Sequence, residues 1–148
     1  MIARLAGDRA GASAAEFVLV LPIMTVLLFG AVDVAGLAWT KIQVGAAARA
    51  GASYALTSGF DEAGITSAAS NATGLAVTVD TPTQSYGCPN ETTGIAETAD
   101  ESTACPDSGD MPGEYVTVDT SADYSPIFGW PGLSDPVSLA ARAQVRIS

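Results

Sequence analysis

The chain has 148 residues, 48% of them hydrophobic, and a formal net charge of −10. It contains no histidine and only 6 Lys and Arg, so it lacks both the usual general base near neutral pH and the basic surface that phosphate binding requires. Nucleic acid is excluded as a partner class, no cofactor is expected, and Gly59 and Gly64 are too isolated to form a phosphate-cradling loop.

Residues 1–11 are short and polar, with Arg4 and Arg9 against Asp8, and read as a leader with a cytoplasmic start. Residues 17–32 carry no charge, and with Asp33 tolerated the apolar character continues to Trp39. At 1.5 Å per residue, residues 17–39 span about 34 Å, enough to cross a hydrocarbon layer. The Ala- and Gly-rich run that follows predicts one helix over 12–56, about 67 Å if unbroken. Pro22 has no N–H for the Val18 carbonyl, which predicts a kink or a loosened turn there. Small residues recur four apart at Ala31/Ala35, Gly36/Thr40 and Ala47/Gly51. That spacing suits close helix–helix approach in lipid, and is also what an Ala/Gly-rich chain gives by composition.

Two acids stand out in this segment. Glu16 lies at the edge of the apolar run, and an acid in the middle of a membrane helix costs about 3 kcal/mol on insertion scales. Glu16 marks either the membrane boundary and first helical turn, or a carboxylate that meets a cation in a helix bundle and so sets subunit register. Asp33 is expected either to reach headgroup water at the far interface or to pair with Lys41 or a partner subunit.

Residues 57–148 form the second part, an expected extracytoplasmic α+β domain. Between Arg49 and Arg142 there is no Lys or Arg but there are thirteen acids. This is a solvated acidic surface or, around Glu101, Asp100, Asp107 and Asp110, oxygen ligands for calcium, although the spacing is not that of an EF-hand. Thr57-Ser58-Gly59 stops the helix; residues 60–73 read as a short second helix with Asp61 and Glu62 in its first turn. Residues 75–80 alternate and are β-branched, predicting a strand. Residues 81–113 read as a long irregular segment that holds Cys88 and Cys105. With neither histidine nor further cysteine for zinc, that pair reads as one disulfide in an oxidising compartment. Residues 114–124 predict a second strand. The turn-rich stretch 125–136 carries Ile127, Phe128, Trp130 and Leu133, which are expected to cap the core or touch the long helix. Residues 137–147 alternate Val137, Leu139, Ala141, Ala143, Val145 and Ile147 against polar neighbours, and this apolar face needs a partner layer. The outer half of the long helix is the candidate.

Gly11, four residues, Glu16, aromatic Phe17 and an apolar helix resemble the cleavage region of type IV pilins. Ala-Ala-Glu-Phe-Val-Leu-Val-Leu-Pro, then Phe-Gly-Ala-Val-Asp and an Ala-rich extension, more closely resemble the TadE-like pseudopilins of the tight-adherence pilus machinery. The strand Tyr-Val-Thr-Val at 115–118, the turn through Ile127 and Phe128, and the final Ala-Arg-Ala-Gln-Val-Arg-Ile are also similar to that family. Phe17 differs from the tyrosine that Flp-type pilins favour there. The resemblance implies a pilin-like α+β fold: a long transmembrane helix on a small antiparallel sheet with a disulfide-tied loop. It implies cutting by a prepilin peptidase between Gly11 and Ala12, with Glu16 fifth in the mature chain. It also implies a structural subunit, not an enzyme, in the inner membrane, whose partners are membrane lipid, other pilin or pseudopilin subunits and the assembly platform. The alternatives are an uncleaved single-pass anchored scaffold and a calcium-dependent surface-binding module.

Overall fold

The computed structural model describes residues 9–90, 94–98, 101–106, 108–128 and 136–148, with side chains from residue 14 onward. Most of the expected leader, and Asp100, Asp107, Trp130 and Leu133, lie outside the described residues.

Helix α1 (Arg9–Ser58) has 50 residues, about 75 Å at the standard rise. It begins three residues before the expected start, and Pro22 does not end it. One turn later the Thr25 hydroxyl donates to the Leu21 carbonyl at 2.8 Å. The stop at Gly59 is a left-handed cap: its φ is +76° and its N–H bonds the Ala55 carbonyl at 2.9 Å. Helix α2 (Glu62–Asn71) folds back, with Ile65 and Ala69, one turn apart, buried. A Cβ on Gly51 would meet the Val118, Ala69 and Ile65 side chains at 3.1–3.3 Å, so this glycine sets how closely β4 and α2 approach α1.

The sheet is wholly antiparallel and has five strands: β1 (Thr78–Val79), β2 (Thr83–Asn90), β3 (Gly94–Thr98), β4 (Gly113–Tyr124) and β5 (Val137–Arg146). β4 is its axis. β5 runs along one edge from Tyr124↔Val137 to Tyr115↔Arg146, while β1 and β2 share the other. Between Val79↔Thr120 and Thr83↔Thr117 the β1–β2 chain advances four residues against three on β4, a one-residue bulge around buried Pro82. β3 completes a hairpin with β2.

Two strand expectations need correction. Residues 75–80 keep their alternation, with Leu75, Val77 and Val79 half-buried, but the strand is Thr78–Val79, with the Asp80 N–H adding one bond to the Asp119 carbonyl at 3.0 Å. The alternation reported a buried face, not pairing. Conversely, the stretch expected to be irregular, 81–113, contains β2 and β3. Its Gly, Cys and Pro content hid them. Pro89 is tolerated because it lies beyond Gly87↔Gly113, the last pair with β4, where β2 has only β3 beside it. The disulfide is as expected: Cys88 on β2 joins Cys105, with Cα atoms 5.5 Å apart.

The apolar face of β5 and the buried face of β4 pack on the outer half of α1. The core cluster is Ala52 and Ala55 from α1, Ile65 from α2, and Val116 and Val118 from β4, with Ala143, Val145 and Ile147 against it. Alanines at 47, 48, 52 and 55 let the sheet lie close to the helix backbone. There the buried Thr120 hydroxyl donates to the Val44 carbonyl at 2.9 Å. Gly36/Thr40 and Ala47/Gly51 therefore serve contacts within this chain: a Cβ on Gly36 would strike Tyr124, Thr40 and Ala47 are buried, and Gly51 faces Val118 and α2.

Ile65→Ala should destabilise the domain by about 2–5 kcal/mol, the range for emptying a fully buried aliphatic site. Denaturant titration of the full chain in detergent measures this. Reduction of Cys88–Cys105 should remove about 3 kcal/mol in the same titration, on the loop-entropy account for a 17-residue separation.

Candidate functional site

The inner half of α1 differs in kind from the outer half. Phe17, Val18, Leu19, Val20 and Leu21 are all exposed, as are Ile23, Met24, Val26, Leu27 and Leu28. Consecutive exposed apolar residues cover every direction around the axis, so no single face can be meant for the chain's own core. The helix is long and apolar enough to cross a membrane. Glu16 is exposed immediately before this run. The Gly11–Ala12 peptide lies in the first turn of α1, where helix ends fray and backbone N–H groups lack intrahelical acceptors.

Asp33 has a different place from the one expected. It is 2% exposed. Its Oδ1 accepts the Ile127 N–H at 2.8 Å and the Tyr124 hydroxyl at 3.3 Å, and its Oδ2 accepts the Phe128 N–H at 3.2 Å. The carboxylate thus reaches neither headgroup water nor Lys41, whose ammonium donates to the Ala140 carbonyl. Successive backbone N–H groups at the exit of β4 make a small anion cradle, and Asp33 fills it from the helix. Tyr124 reaches the site because position 36 is glycine: a Cβ there would lie 2.3 Å from the Tyr124 oxygen. Below this cradle the Phe128 ring stacks on Phe29, with centroids 5.4 Å apart and planes 16° apart.

Sequence reasoning anticipated contact between Phe128 and the long helix but not the role of Asp33. The available signal was an acid that interrupts an otherwise apolar run, followed far along the chain by a strand ending in tyrosine. Burial first, and then the Asp33 carboxylate, push the Tyr124 hydroxyl above the ordinary tyrosine range. At the other end of β4, opposite Glu114, Tyr86 is also pushed up, first by Glu101. Among the described residues no group of three or more Cys, Asp and Glu gathers as a metal cluster would. Across β4 and β5, Arg142 forms a two-bond pair with Asp119 at 2.7 and 2.9 Å; its side chain is largely exposed, so solvent screens the pair.

Residues 11–53 match the family model described as TadE-like protein. The match runs from the glycine of the expected cleavage point, through Glu16 and Asp33, to the part of α1 that carries the sheet. It bears out the resemblance read from those residues. No curated protein and no solved structure matches the chain.

The raised Tyr124 value has a definite sign. Its contribution to stability is intact below the unfolded tyrosine value of about 10 and is lost as pH rises through the folded value. Alkaline titration of tyrosinate absorbance in the full chain should show Tyr86 and Tyr124 ionising late, and Tyr124→Phe should delete one late step. A curve unchanged by that substitution would contradict the contact with Asp33.

Proposed function

We propose, with the TadE-like match over residues 11–53 as premise, that this chain is a structural subunit of a tight-adherence pilus, a minor pilin or pseudopilin. The observation that carries the reading is the division of α1. One half is apolar and exposed on all sides, and the other is covered along one side by the chain's own sheet and second helix. An uncovered half of this kind must be covered by lipid before assembly and by other helices after it. Glu16, at the entrance to that half, is the carboxylate whose pairing would fix axial register. Removal of residues 1–11 would supply its partner, the new amine of Ala12. In this reading residues 17–39 form the inner-membrane segment and residues 57–148 lie outside the cytoplasm, where the disulfide is stable.

The chain itself does no chemistry in this scheme. A prepilin peptidase cuts the Gly11–Ala12 bond, and the assembly platform moves the subunit from lipid into the filament. A carboxylate buried without a cation is expensive, so only subunit offsets that match Glu16 to an amine are stable.

Mass spectrometry of protein extracted from membranes should find an N-terminus at Ala12. Glu16→Ala should leave cells with few or no pili while the protein stays in the membrane. A chain that still begins at Met1 in cells with an active prepilin peptidase would instead identify an uncut anchored scaffold.

A further inference from the structure

We infer that the outer hydrocarbon boundary lies at the level of Asp33, and that Ile127 and Phe128 insert beside α1 into the lipid of that leaflet. This rests on the membrane-spanning reading of α1 given above. The first ground is continuity. Phe29 belongs to the uncharged run, and the Phe128 ring is stacked on it. Any medium that bathes Phe29 also bathes Phe128. Ile127 is 69% exposed and Phe128 44%, an aliphatic–aromatic pair at the tip of an otherwise acidic domain. Both suit lipid and neither suits water.

The second ground is polar satisfaction. A backbone N–H without a partner costs several kcal/mol in hydrocarbon, and so does a lone carboxylate. Here the two problems cancel. The N–H groups of Ile127 and Phe128 and the Tyr124 hydroxyl converge on Asp33. The cradle therefore tolerates the edge of the bilayer, which a bare loop or a bare aspartate would not.

The third ground is length. The sheet ends at Tyr124↔Val137, beside Gly36, and its open strand edges have to remain in water. The helix below Asp33 measures about 24 Å over the uncharged residues 17–32, and about 28 Å from Ala14 with Glu16 at its inner edge, against a hydrocarbon core of about 30 Å. Trp39 lies about 9 Å further along the axis, so residues 34–39 of the 17–39 segment cross the headgroup layer, where tryptophan is enriched. The domain is thus seated on the membrane surface with one hydrophobic tip immersed, not held above it on a bare stalk.

The test uses spin labels on single cysteines introduced into the full chain, reconstituted at low density in phosphatidylcholine vesicles. Ile127→Cys is the probe, Leu28→Cys the membrane reference and Ser67→Cys the water reference; all three positions are exposed. A label at 127 should lose broadening by a water-soluble nickel reagent and gain broadening by oxygen, as at 28, while 67 keeps its nickel broadening. Nickel access at 127 together with a protected 28 would overturn the inference and leave the membrane span standing. Nickel access at 28 would overturn the span itself. Protection from both reagents at 127, with dipolar broadening between labels, would show a second copy covering the tip and would also overturn the inference. Asp33→Ala in the Ile127→Cys background should restore nickel access at 127 without changing the result at 28; unchanged protection would remove Asp33 from its positioning role.

Discussion

Close approach of the sheet to the helix backbone is the constraint on which the rest of the molecule depends. It is made possible by absence of bulk: Ala47, Ala48, Gly51, Ala52 and Ala55 form a low-relief stripe on α1. Val116 and Val118 of β4 descend onto this stripe, and the Thr120 hydroxyl comes near enough to bond a helix carbonyl. A larger residue at position 51 would push away both β4 and α2. Since β4 pairs with β1, β2 and β5, its displacement would carry the whole sheet with it.

A second fastening lies about 27 Å further down the helix, measured from Gly51 to Asp33. It is of the opposite kind: one carboxylate accepting from the Tyr124 hydroxyl and the Ile127 and Phe128 N–H groups, with two stacked rings beneath them. Apolar packing alone does not select one sliding position along a helix, because many offsets bury similar area. The Asp33 cradle is directional and admits one. Packing and hydrogen bonding therefore divide the task, the first holding the domain on the helix and the second setting its position along it.

Much of this was legible in the sequence. The apolar run, the second helix, the β4 and β5 alternations and the cysteine pair each carry a local periodicity or composition that survives folding. The parts that were not legible depend on partners distant in the chain. β2 and β3 are strands because β4 and the disulfide hold them, not because Thr-Gln-Ser-Tyr-Gly-Cys-Pro-Asn favours extension. Residues 75–77 look like strand and are not: pairing with β4 starts only at Thr78↔Ser121, although β4 itself continues to Tyr124. Asp33 could be recognised as unusual from one dimension, but its partners are more than ninety residues away. The spacing of small residues was visible too, yet it did not distinguish a neighbouring helix from the chain's own sheet.

The sheet and α2 lie alongside α1 and not at its end. From Arg9 to Ser58 the helix is continuous in sequence through Pro22, and the folded domain is fixed to its flank. A pull along the axis consequently passes through the helix's own ladder of backbone hydrogen bonds, and strand pairs and the disulfide stay out of the line of tension. The domain travels with the rod as a side-mounted passenger, and its fold does not have to resist the force that moves it.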